Sequence, residues 1–131
     1  MLTVLQQDSK ESKLVTIETF RQLALSFPGA IELPHFEKTS FRVDKKIFAT
    51  LDIKNTRACL LLSETDQSVF SAYDKSVIYP VPNKWGARGA TFVELKNVPK
   101  NMLKYALKQA YNKIITKKTF RKVHKSFVSA K

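Results

Sequence analysis

Val81-Pro82-Asn83-Lys84-Trp85-Gly86-Ala87-Arg88-Gly89-Ala90-Thr91-Phe92-Val93-Glu94-Leu95 gathers a proline, the chain's one tryptophan and two of its three glycines into a short stretch. Before it, Val77, Tyr79 and Val81 alternate with other residues in the period of a strand. After the second glycine, Thr91, Val93 and Leu95 alternate in the same way with Phe92 and Glu94. The stretch therefore reads as a hairpin with a long tip. Gly86 and Gly89 allow positive φ there, and Lys84 and Arg88 place two cations on a loop that is hard to bury. Trp85 has two readings: an indole folded back over the sheet, or an exposed aromatic that stacks on a base. Asn83 suits a turn former or a base reader.

Three separated landmarks carry a resemblance. The run Tyr79-Pro80-Val81-Pro82-Asn83-Lys84-Trp85-Gly86, the upstream Phe27-Pro28-Gly29 and the downstream Ala110-Tyr111 resemble, in order, the YjbR/MmcQ family of small bacterial proteins. The resemblance spans roughly Val15 to Lys117. It implies a compact α-β-β-β-α-β-β-α domain with a "double wing", expected to bind DNA, whose sandwich is similar to that of secretion chaperones.

Outward from the hairpin, the periods run helix, three strands, short helix, two strands, helix. The first helix is expected from a Thr16 N-cap, with Ile17, Phe20, Leu23, Ala24 and Phe27 on one face and a stop at Pro28-Gly29. Residues 30–38 hold Pro34 and His35 without a steady period and read as a connector. Phe41 and Val43, then Ile47, Ala49 and Leu51, suggest two strands joined through the basic turn Asp44-Lys45-Lys46. Ala58 to Leu62 reads as a strand buried on both faces, with Cys59 as a buried structural thiol. A short helix capped by Ser63 or Thr65 is expected to pack Val69, Phe70 and Tyr73 inward. From Pro99, Leu103, Ala106, Leu107, Ala110, Tyr111 and Ile114 mark the core stripe of a long helix, with Lys100, Lys104 and Lys108 along another face. The predicted fold class is α+β: a two-layer sandwich, five antiparallel strands with the helices on one side. Residues 15–116 form the domain, 1–14 a flexible polar arm and 117–131 a basic extension suited to a further helix.

Charge indicates the partner. Of 23 Lys and Arg, eleven follow Glu94, and none of the eleven acids does. That asymmetry favours a polyanion, with nucleic acid ahead of an anionic membrane, against the plain alternative of a solvated surface. No apolar run approaches a membrane span, no secretory pattern opens the chain, and one cysteine excludes an internal disulfide, so a cytoplasmic protein is expected. No nucleophile sits beside a matching histidine, no glycine loop cradles phosphate and no metal spacing occurs, so neither enzyme nor cofactor is expected. The expected contacts to nucleic acid, DNA first, are Lys45 and Lys46 on one turn and Asn83, Lys84, Trp85 and Arg88 on the other. Lys104, Lys108, Lys117, Lys118, Arg121, Lys122 and Lys125 join them from the C-terminal helix. The alternative is a chaperone-like module that binds a protein or peptide on an exposed sheet or groove.

Overall fold

The computed structural model describes residues 15–129, with side chains described for 15–116; the arm expected at 1–14 lies outside them. Helix α1 (Ile17–Leu25) starts where Thr16 takes the N–H of Thr19 on its hydroxyl, and it buries Phe20 and Ala24. Gly29, at φ 78°, turns the chain into the sheet. Four strands follow in sequence: β1 (Ala30–His35), β2 (Lys38–Val43), β3 (Lys46–Asp52) and β4 (Arg57–Leu61). Helix α2 (Glu64–Ser71), capped by Ser63, leads to β5 (Ile78–Pro80), a helical turn α3 (Lys84–Ala87), β6 (Ala90–Glu94) and the long α4 (Lys100–Ser129). The class is α+β as predicted, with an open antiparallel sheet.

The sheet has six strands, not five, in the order β1-β2-β3-β4-β6-β5. The extra one is β1, formed by residues that read as a connector. It pairs with β2 from Ala30↔Val43 to His35↔Lys38. As an edge strand it buries little, so its sequence carries no clear apolar period. Pro34 is tolerated there because its missing N–H would point away from β2. The opposite edge, β5, is three residues long and ends in Pro80. Each edge thus has a proline where an added strand would need a donor.

One face of the sheet is the core. Phe41, Ala49, Leu51, Ala58, Leu60, Val93 and Ile78 are buried under the layer of α1, α2 and α4, with α2 packing on β5. A bulge between Phe41 and Arg42 slips the β2–β3 register, so Phe48 is buried where strict alternation would place Ile47. On α4, Leu103, Ala106, Leu107, Ala110 and Tyr111 supply the facing stripe, as the sequence predicts. The other face of the sheet carries no helix. Strand β4 is therefore buried on one face only, and Cys59 sits half-buried on the open one, where burial raises its thiol pKa. In β5 the inward residue is Ile78, flanked by buried Val77, while Tyr79 faces the open side. Residues 77 to 81 thus do not alternate as the sequence suggests.

Antiparallel registers fix which turns share an end. Val43↔Lys46 and Leu61↔Ala90 put the β2–β3 turn, the end of β4 and the start of β6 on one end of the sheet. The loop 81–89 lies at that end, while the β1–β2 turn and the β3–β4 turn lie at the other. Helix α4 starts at the far end and returns: Lys113 Nζ donates to the Leu62 carbonyl at 3.0 Å. It then continues unbroken to Ser129, rather than ending before a separate helix. Sixteen further residues at 1.5 Å each carry it about 24 Å beyond Lys113.

Candidate nucleic-acid interface

The loop between β5 and β6 is held rather than hinged. Asn83 caps α3, its Oδ1 accepting the Trp85 N–H at 2.8 Å. Of the two glycines only Gly89 has positive φ (113°). Gly86 is required by closeness: a Cβ there would stand 1.7 Å from the Val81 carbonyl oxygen, and one on Gly89 would stand 1.8 Å from that of Leu62. The buried Gln67 of α2 closes the arrangement. Its Nε2 donates to the Gly86 carbonyl at 2.8 Å and lies 3.1 Å from the Ala90 carbonyl and 3.2 Å from Thr91 Oγ1. Polar residues buried in a core are paired, and here the pairing locks a loop onto a helix.

That clamp pushes Lys84, Trp85 and Arg88 outward. Trp85 is 57% exposed, so the indole does not fold over the sheet. The Arg88 guanidinium lies 5.9 Å from the indole centroid, at the outer range of a cation–π contact. On the same end, the β2–β3 turn is a two-residue link in which Asp44 and Lys45 have φ 52° and 71°. This is the sign pattern of a type I′ turn, reached without glycine. It points Lys45 and Lys46 into solvent. Two strand spacings, roughly 10 Å, separate β3 from β6. Asp44, Glu64 and Asp66 are the acids of this end, the last two in the first turn of α2.

The structure therefore gathers Lys45, Lys46, Lys84, Trp85 and Arg88 on one end, with Asn83 as the loop's cap. Lys104 and Lys108 are exposed on α4 but step back along it, away from that end. Lys117, Lys118, Arg121, Lys122 and Lys125 belong to the helical continuation, and their side chains lie outside the described ones. Sequence reasoning missed Gln67; the signal was an amide facing the same side as Phe70 in an otherwise exposed helix. Val69 of that helix, and Tyr73 beyond its end at Ser71, are solvent-exposed instead of packed. Among the described residues no three His, Cys, Asp or Glu side chains gather to hold a metal, and no helix is long and apolar enough to cross a membrane.

The open face is partly plugged. The Arg57 guanidinium lies 4.0 Å from the Phe92 centroid, and the Tyr79 hydroxyl donates to Glu94 beside it. Burial, then the bond to Glu94, raises the Tyr79 pKa. On the β1 side the same face leaves Ile31 and Leu33 uncovered.

Comparison with known proteins fits this architecture. The YjbR family model matches residues 25–113. The chain belongs to the YjbR family. Among solved structures, the DUF419-domain protein DR2400 of Deinococcus radiodurans superposes with a TM-score of 0.64 at 22% identity, covering 75% of this chain and 77% of that one. At that identity the likeness carries the YjbR-like fold alone. No curated protein matches the chain. Two of the family landmarks meet in space: the Phe27 and Tyr111 rings stack at 4.8 Å.

Proposed function

We propose that this YjbR-family chain is a non-enzymatic nucleic-acid-binding protein, DNA being the first candidate, with little sequence preference. The observation that supports it is the convergence of two basic turns and the returning α4 on one end of the sheet. Lysines 45, 46 and 84 and Arg88 are placed to contact phosphates, and Trp85 to stack on an unpaired base. The domain of residues 15–116 supplies the turns, and residues 117–131 serve as its basic extension, α4 running on through them as far as Ser129. The peptide-binding alternative loses its simplest mode, because prolines blunt both sheet edges against strand addition.

The test is fluorescence anisotropy with labelled duplex and single-stranded oligonucleotides across a salt series. Neutralising about five to seven phosphates gives a slope of log K against log salt of roughly −4.5 to −6.3 on duplex. Lys84→Ala with Arg88→Ala flattens it by about one to two units. Truncation after Thr116, which removes six Lys and Arg, flattens it further. No binding at low salt with tens of micromolar protein overturns the reading and leaves the open sheet face as a protein or peptide site.

A further inference from the structure

At the end of the sheet opposite the basic turns, the β1–β2 link places Phe36 at φ 60° and leaves it 94% exposed. Both features are costly. A left-handed conformation is disfavoured for any side chain, and an aromatic ring in water gains nothing from the fold. The ring is not loose: His35 packs edge-on against it at 4.9 Å between centroids. Glu37 follows it at the tip. A strained, exposed and supported aromatic is a feature shaped for a contact outside its own chain.

The molecule also carries a matching receptor. Between α2 and the edge strand β5 lies a cavity of about 520 Å³, lined by Ser68, Ser71, Ala72, Lys75, Tyr79 and Pro80. It admits an aromatic side chain, and its walls are mostly apolar. Ser71 Oγ is buried there without a hydrogen-bond partner among the described residues, and Lys75 stands exposed at the rim. An incoming Glu37 carboxylate would complement both.

We propose that Phe36 of one copy inserts into the α2–β5 cavity of a second copy, with Glu37 meeting Lys75 and Ser71. Phe36 and the cavity sit at opposite lateral edges of the sheet, β1–β2 and β5. Five strand spacings of about 4.8 Å, roughly 24 Å, separate those edges, so a copy cannot fill its own cavity. The contact is head-to-tail and extends to further copies.

A contact built on one ring and one ion pair is small, and the net charge of +12 opposes it. Dissociation is expected in the range of about 0.1–1 mM at ~0.15 M salt, where charges are screened beyond about 8 Å. Sedimentation equilibrium of the full chain from ~20 µM to ~1 mM reads it directly. The expected result is a weight-average mass rising above the monomer value for the native chain. Phe36→Gly, which suits the positive φ, stays monomeric and melts at a higher temperature. Ala72→Arg, an exposed cap position that closes the cavity, also stays monomeric. Mixed one to one, these two variants form a dimer, since one retains the cavity and the other the ring. Glu37→Lys and Lys75→Glu each weaken association, and together in one chain they restore it. A native chain that stays monomeric to ~1 mM overturns the proposal. So does a Phe36→Gly chain that associates as the native one does, or a mixture that fails to dimerise.

Discussion

The hydroxyl of Tyr111 donates to the Pro28 carbonyl at 2.6 Å, joining α4 to the turn that ends α1 across 83 residues of sequence. The same ring stacks on Phe27 and meets Phe48 edge-on at 5.8 Å between centroids. This contact holds the helical layer to the end of the sheet that carries the basic turns. Tyr111→Phe keeps the ring and removes the bond, leaving the Pro28 carbonyl without it. The expected cost is about 1–2 kcal/mol, read as a lower denaturation midpoint at unchanged slope. Tyr111→Ala also removes the stacking and is expected to cost about 3–5 kcal/mol.

The two tip glycines and Gly29 separate closeness from conformation. Gly86→Ala and Gly89→Ala drive a methyl into backbone oxygens that cannot move aside. Each is expected to destabilise by roughly 3 kcal/mol or more. At Gly29 a Cβ meets only Val43 Cγ1 at 3.9 Å, so Gly29→Ala costs only the strain of its positive φ, about 1–2 kcal/mol. Gln67→Leu, which loosens the clamp on the same loop without a clash, is expected to cost about 1–3 kcal/mol. Thermal and chemical unfolding rank the four; Gly86→Ala milder than Gly29→Ala would refute the packing argument.

Much of this architecture is legible in the sequence because burial writes a period. Thr91, Val93 and Leu95 are buried as their alternation implies, and α4 shows its stripe. What was hidden has a physical reason in each case. Edge strand β1 buries too little to leave a pattern, and the β2–β3 bulge moves Phe48 inward against alternation. A continuous apolar run such as 58–62 does not reveal that one side lies open. The cations of the candidate interface could be named residue by residue, but their grouping depends on strand register. Only the pairing of β4 with β6 places loop 81–89 beside the β2–β3 turn.

Lys45 sets stability against charge. At φ 71° in a type I′ turn it occupies a position that glycine fills at lower cost. Lys45→Gly is expected to raise stability by up to about 1 kcal/mol, since relief of strain outweighs the added freedom of the unfolded chain. On the nucleic-acid reading proposed above the same change takes away one phosphate-neutralising charge, so the salt slope on duplex should flatten by about 0.9. Calorimetry and the anisotropy series on one variant check both signs. A variant that is less stable would mean that Lys45 makes a favourable contact of its own.

Trp85 distinguishes stacking from mere attraction of charge. The indole is exposed beside Arg88 on a loop fixed by Gln67, so its replacement removes a platform without disturbing the core. Base–aromatic stacking contributes about 1–3 kcal/mol per base and requires an unpaired base. Trp85→Ala should therefore weaken single-strand binding by roughly fivefold to 150-fold, with duplex binding nearly unchanged. Trp85→Phe should retain most of the single-strand affinity. Neither variant alters the charge, so the salt slopes should superimpose on that of the native chain. Paired anisotropy titrations on both oligonucleotides read this out, and equal losses on duplex and single strand would mean that the indole shapes the loop rather than receiving a base.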